Sequence, residues 1–149
     1  MCMTNKPLIA IAADHGGFSL KQAIIKAYAD KYDFLDLGTD SEESCNYADY
    51  GHALAEALAQ GKAQQGIIIC GSGIGISIAA NRHKAIRAAL CTDATMARLS
   101  RLHNDANVLA LGGRIIGQQV ALDCVDAFFG TAFEGGRHIA RVEKLNTGI

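Results

Sequence analysis

The chain has 149 residues, 50% of them hydrophobic and 19% charged, with a formal net charge of −1. That length suits one domain with a substantial core, the composition argues against disorder, and the charge excludes an overall basic footprint for nucleic acid. No apolar run approaches the ~20 residues of a membrane helix, and a polar start followed by the short apolar stretch 8–13 does not read as a signal peptide.

Leu8 to Ala12 reads as a first strand, followed by the turn Ala13-Asp14-His15-Gly16-Gly17. Leu20, Ile24 and Tyr28 then recur every four residues, the stripe of a helix covering a sheet. Phe34 to Leu37 is a second strand, and a polar loop leads to a helix from about Ala48 to Ala59. The run Ile67 to Ile69 lacks polar alternation, as suits a strand buried on both faces. It ends in Cys70, and glycines at 71, 73 and 75 open the next helix. Ile86 to Cys91 is a fourth strand, and Asp93 is placed to cap the helix carrying Met96, Leu99 and His103. Val108 to Leu111 is a fifth, ending in Gly112-Gly113-Arg114. Ala121, Cys124, Val125 and Phe128 mark another helix, and a last one spans about 137–147. Strands alternating with helices predict a three-layer α/β/α sandwich, Rossmann-like, around a five-stranded and mostly parallel sheet. Without repeats or linkers, residues 1–149 read as a single domain.

In a parallel sheet the residues that follow each strand share one edge, where ligands bind. Asp14 and His15, Cys70 to Gly75, and Arg114 all fall there. His103 and Asn104 end a helix and therefore lie toward the opposite edge, unless that helix stops early and its turn doubles back.

Cys70 ends a strand just before a helix amino terminus, where partial positive charge favours a thiolate. Cys91 also ends a strand but lacks a glycine cradle and reads as structural, like Cys124 on its apolar stripe. Cys2 and Cys45 read as exposed bystanders. The five cysteines form no CxxC pair, which fits free thiols in a reducing cytoplasm. His52 and His83 read as ordinary helix residues, and no histidine pair has metal-ligand spacing, so no metal is expected. The glycine ladder is neither a Walker loop nor a Cys-x5-Arg phosphatase loop, and GxGxG falls short of the dinucleotide fingerprint. A nucleotide-binding module stays open as the reading from another class. Arg137, Arg141 and Lys144 share a helical face, and with Arg114 they make a phosphate clamp plausible.

Five motifs, taken together, carry a resemblance: Ala13-Asp-His-Gly-Gly-Phe, Cys70-Gly-Ser-Gly-Ile-Gly-Ile-Ser-Ile-Ala-Ala-Asn, Leu99-Ser-Arg-Leu-His-Asn-Asp, Asn107-Val-Leu-Ala-Leu-Gly-Gly-Arg and Glu134-Gly-Gly-Arg-His. Along nearly its whole length the chain resembles the type B ribose-5-phosphate isomerases and the related galactose-6-phosphate isomerases. The resemblance implies a cytoplasmic aldose–ketose isomerase of a sugar phosphate, without metal or organic cofactor, acting as a homodimer or dimer of dimers. It implies Cys70 as the base working through a cis-enediolate, Ser72 as a proton shuttle, and His103 as the group that opens the furanose ring, with Asp14 as partner. Gly71, Gly73 and Gly75 with Asn104 would hold the enediolate, and Tyr47 would line the site. His15 and Arg114 would bind phosphate together with Arg137 and Arg141 from the partner subunit, with His138 a lesser candidate. It also implies that the turn at His103 reaches the site, within the chain or across the dimer. Some relatives use glutamate at position 75 as base with serine in place of the cysteine; this sequence has the cysteine form. Ribose 5-phosphate is the expected substrate, with allose 6-phosphate, galactose 6-phosphate or a tetrose phosphate as alternatives.

Overall fold

The computed structural model describes residues 5–147. Five strands alternate with helices: β1 (Leu8–Ala13), α1 (Phe18–Tyr28), β2 (Asp33–Asp36), α2 (Tyr47–Ala59), β3 (Gln65–Cys70), α3 (Ile74–Asn81), β4 (Ala88–Leu90), α4 (Ala94–Asn104), β5 (Val108–Gly112), α5 (Gln118–Phe129) and α6 (His138–Thr147). The sheet order is β2-β1-β3-β5-β4, and every strand pairing is parallel. The fold is the α/β/α sandwich that the alternation predicts. No helix among the described residues is long and apolar enough to cross a membrane.

Side chains on a strand alternate between faces, and this parity builds two cores. Ile9, Ile11, Ile67, Ile69, Leu109 and Leu111 pack with Ile24 of α1 and Val125 and Phe128 of α5. Ala10, Ala12, Ile68, Cys70, Val108 and Ala110 face the other way, against Leu54 of α2 and Ile76 and Ala80 of α3. Each fully buried isoleucine contributes roughly 2 kcal/mol by leaving water. Cys70 shares the parity of Ile68, so its thiol lies on the α2/α3 side of the sheet, beneath the start of α3.

One boundary departs from the sequence reading. β4 is shorter than the expected 86–91, because the Ile86 N–H turns back to the His83 carbonyl (3.0 Å) and Asn107 Oδ1 takes the Arg87 N–H (2.8 Å). Lys21, one residue beyond the apolar stripe of α1, is buried, with Nζ 2.7 and 2.8 Å from the two oxygens of Asp36. The last helix starts at His138 because Gly135 and Gly136 take left-handed φ values of 73° and 57°. Asp93 caps α4 as expected, with Oδ1 accepting the Met96 N–H at 2.8 Å.

Candidate active site

From β1 the chain crosses to β2 on one side of the sheet, and it continues from β3 on the other, so β1 and β3 flank a topological switch point. Open parallel sheets form their ligand crevice outside the carboxyl ends of such strands. A cleft of about 640 Å³ lies there. Asp14 enters it from the end of β1, Cys70, Gly71, Ser72 and Gly75 from the end of β3, Arg114 from β5, and Tyr47 from the start of α2.

Cys70 is 4% exposed, and the Gly73 N–H donates to its Sγ at 3.2 Å. That donor suits a sulfur carrying negative charge. Gly73 has φ +79°, and a Cβ there would lie 2.5 Å from Leu90 Cδ1 and 2.9 Å from the Leu111 backbone, so the turn requires glycine. The Ile74 N–H donates to Ser72 Oγ at 3.2 Å. Two amides of the ladder are thus engaged inside the chain. Gly75 and Ile76 sit in the first turn of α3, where helix geometry leaves N–H groups without a partner. The loop after β5 is stitched to this cradle by Gly113 N–H to the Cys70 carbonyl (2.8 Å) and Arg114 N–H to the Gly71 carbonyl (2.9 Å). The Arg114 guanidinium lies over Gly71, whose added Cβ would stand 3.4 Å from Nη1.

Asp14 is buried and serves its own turn, with Oδ1 accepting the N–H groups of Gly16 (2.9 Å) and Gly17 (3.2 Å). Its other oxygen is 3.9 Å from His15 Nδ1. His15 Nδ1 accepts the Cys45 N–H at 3.2 Å, which puts the ring proton on Nε2. Cys45 is therefore no bystander: it is half-buried, and its backbone orients His15 while its thiol stands 3.9 Å from the same nitrogen. Cys91 and Cys124 are core thiols, pushed up by burial to about 12 and about 11. Cys2 lies outside the described residues.

His103 and Asn104 do not join this cleft within one chain. α4 runs through Asn104 and is closed by Asp105 in the left-handed conformation (φ 45°). Three residues later β5 begins at the far edge of the sheet. A five-residue strand rises ~3.3 Å per residue, so roughly 16 Å of sheet separates the two groups. The turn does not double back. Instead His103 and Asn104 meet Arg141, His138 and Leu145 of the tail around a hollow of about 230 Å³. The His103 and His138 rings stack at 4.4 Å and 18°. Glu134 Oε2 stands 3.8 Å from His103 Nε2 and 3.9 Å from His138 Nε2. His138 is 4% exposed, and its Nε2 has no hydrogen-bond partner among the described residues.

These three side chains bring their donor atoms within 4.8 Å of one another, a grouping that spacing missed because His103 and Glu134 come from separate elements. Zinc binds ring nitrogens at ~2.0–2.1 Å along their in-plane lone pairs. With the rings stacked nearly parallel, an ion that close to both nitrogens would sit well out of both planes, so the arrangement suits proton chemistry better than a metal.

Desolvation lowers the proton affinity of His138, and His103, Arg137 and Arg141 push the same way against Glu134. The unfolded chain therefore binds this proton more readily than the folded one. The stability His138 contributes is present above the ordinary histidine value of about 6.5 and is lost as pH falls below it. Thermal unfolding should show a smaller drop between pH 7 and pH 5 for His138→Gln than for the parent; equal drops would remove His138 from the acid response.

The arginines sort by their partners. Arg87 and Arg101 are both spent on Asp105, at 3.4 and 2.9 Å. Arg114, Arg137 and Arg141 are exposed and make no ion pair among the described residues. Arg82 and Arg98 are likewise exposed and unpaired among the described residues, but of the free guanidinium groups Arg114 lines the cleft and Arg141 the hollow beside His103.

Known proteins are similar to this chain in sequence and in fold. A protein called ribose-5-phosphate isomerase B from Escherichia coli (strain K12) is 46% identical over 138 residues, covering 92% of this chain and 93% of that protein. A structure of ribose-5-phosphate isomerase B from Clostridium thermocellum superposes with a TM-score of 0.92 at 50% identity, covering 93% of this chain and 95% of that one. A D-erythrulose-4-phosphate isomerase from Pectobacterium atrosepticum is 40% identical, covering 92% of this chain and 91% of that protein. The family described as Ribose/Galactose Isomerase matches residues 9–145, which takes in the cradle, the Asp14 turn, the His103 turn and the tail alike. With that span and these identities, the chain belongs to the ribose/galactose isomerase family.

Proposed function

We propose that the chain interconverts D-ribose 5-phosphate and D-ribulose 5-phosphate through a cis-enediolate, with Cys70 as the base, as a single-domain cytoplasmic enzyme needing neither metal nor organic cofactor. The observation that carries this reading is a thiol at the floor of the switch-point cleft, with an amide aimed at its sulfur and the unpaired Arg114 guanidinium in the same cleft.

Cys70 takes the proton beside the carbonyl and returns it to the neighbouring carbon. Charge then develops on the substrate oxygens. First-turn amides of α3 and Asn104 stabilise it; losing one such donor costs about 3 kcal/mol. Ser72 moves the hydroxyl proton, Tyr47 walls the cleft, and His103 with Asp14 opens the furanose. His15 and Arg114 take the phosphate from one side, and Arg137 and Arg141 of the partner subunit take it from the other. Phosphate binding far from the reacting carbons supplies energy that orients them.

A homodimer, alone or paired into a dimer of dimers, reconciles these roles with the separation of the two groups. Exposed apolar side chains rim the cleft (Ile74 53%, Ile78 54%, Ile115 63%), and α6 carries others (Ile139 48%, Leu145 62%), surfaces that association would cover. Free Cys45, Cys70, Cys91 and Cys124 suit a reducing compartment. A four-carbon substrate is the second reading, favoured by the relative named for D-erythrulose 4-phosphate.

The test is a panel of four-, five- and six-carbon sugar phosphates with purified protein. Saturable turnover of ribose 5-phosphate, undiminished by chelator, is expected; inactivity on the whole panel overturns the reading. In the same assay Arg137→Ala should raise KM by roughly 10–100-fold, the worth of one charged hydrogen bond, with kcat within a few-fold. An unchanged KM would take Arg137 out of the clamp.

A further inference from the structure

The mechanism leaves unused the Glu134 carboxylate, which stands beside the Nε2 edges of two stacked imidazoles. Its placement is built rather than incidental. The Glu134 N–H donates to the Leu102 carbonyl at 3.2 Å, in the last turn of α4, and Arg101 Nε donates to the Thr131 carbonyl at 3.1 Å. The left-handed pair Gly135-Gly136 then folds the chain so that His138, four residues on, returns to the same carboxylate. The segment is strapped onto α4 beside His103.

We propose that Glu134 is a positioning residue for ring opening: it holds the Nε2 edge of His103, fixing the tautomer with the proton on Nε2 and leaving Nδ1 to meet the sugar. The inference rests on the ring-opening role given to His103 above. His103 Nδ1 accepts the anomeric hydroxyl proton as C1–O1 becomes a carbonyl. The C1–O4 bond breaks with its electron pair on O4, and the same proton passes from the imidazolium to O4. No proton is gained or lost overall. Glu134 steadies the transient imidazolium by closing from 3.8 Å to hydrogen-bond distance, since such contacts often tighten only in the reacting complex. One carboxylate oxygen cannot serve both rings fully. His138 is buried and stacked, whereas His103 is 37% exposed and reachable by substrate. His138 therefore acts as the wall that keeps the His103 ring in plane.

The experiment separates ring chemistry from enolisation. Ribulose 5-phosphate has its O5 blocked by phosphate and stays open-chain, so exchange of its C1 proton into heavy water needs Cys70 and the enediolate donors but no ring opening. Ribose 5-phosphate must be opened first. Glu134→Gln is close to isosteric at a 47% exposed side chain. It should slow turnover of ribose 5-phosphate roughly 10–100-fold, the loss of one charged hydrogen bond. Exchange from ribulose 5-phosphate should stay within about three-fold, since that step does not use Glu134. Equal loss in both reactions, or loss in neither, overturns the proposal. A second readout does not depend on the variant folding: ¹⁵N NMR of the parent protein should show His103 protonated on Nε2, and a proton on Nδ1 instead overturns it. If the parent protein itself neither isomerises nor exchanges, the proposed function fails, and that outcome is distinct from either result above.

Discussion

Cys70→Ala is expected to lose at least ~10³-fold in kcat on ribose 5-phosphate, within the range attributed to a well-placed general base. Exchange of the C1 proton of ribulose 5-phosphate into heavy water should fall by the same factor, because one sulfur carries both. The parallel loss is the informative part. A thiol that only packed the cleft floor would change binding or stability, whereas a base removes enolisation itself. The sulfur has little else to do: it is 4% exposed and takes one amide. Its replacement by a methyl leaves a small void beside Ile68 and Ile76, for which about 1 kcal/mol of stability is the expected cost. Folded, inert protein is thus the predicted state, checked by thermal unfolding beside the assays. Neither of the two other groups placed to replace it can take over. Position 75, where some relatives carry a glutamate base, is glycine here, and an added Cβ would lie 2.5 Å from the Tyr47 ring. Asp14 already gives one oxygen to the Gly16 and Gly17 amides. If Cys70→Ala keeps exchanging the C1 proton at the parent rate, the base is another group and the mechanism above is wrong.

What could be read from the sequence was whatever depends on local pattern. The runs 8–13, 67–70 and 108–111 had to be buried strands, and their shared carboxyl edge brought Asp14, Cys70 and Arg114 to one cleft. The placement of His103 and Asn104 at the opposite edge also followed from chain direction alone. The resemblance then left open a turn within the chain, which the closed end of α4 excludes. Pairwise details resisted reading because their partners are far apart in sequence. Lys21 lies off the apolar stripe of α1, and only its pairing with Asp36 of β2 accounts for its burial. His52 and His83 looked unrelated, yet Nδ1 of one stands 2.8 Å from Nε2 of the other, joining α2 to the end of α3. Cys45 gained its role only because the polar loop folds back over His15. Glu134 lies inside one of the five motifs, but periodicity could not bring it to α4; its N–H on the Leu102 carbonyl does.

Mixing two inactive variants should restore activity if the site is shared between subunits. Cys70→Ala leaves His103, Arg137 and Arg141 intact, and His103→Ala leaves the cradle intact. In a two-fold dimer each site takes its cradle from one chain and its α4–tail cluster from the other. A mixed dimer therefore holds one doubly broken site and one wild-type site. With random exchange half the dimers are mixed, so about one quarter of the wild-type sites should reappear. The two groups lie at opposite edges of the sheet within one chain, so a site confined to one protomer cannot be repaired this way. The variants would be co-refolded or co-expressed with different tags, and the doubly tagged species isolated for assay on ribose 5-phosphate. Activity near half that of the parent dimer in that purified species is the expected result. A mixed dimer no more active than its parents would mean that His103 reaches Cys70 by a rearrangement inside one chain, or does not serve the reaction at all. Analytical ultracentrifugation of Ile78→Lys, which puts a charge on the apolar rim, tells these apart: if the shared site holds, the charge that splits the dimer also abolishes turnover, while an active monomer refutes it.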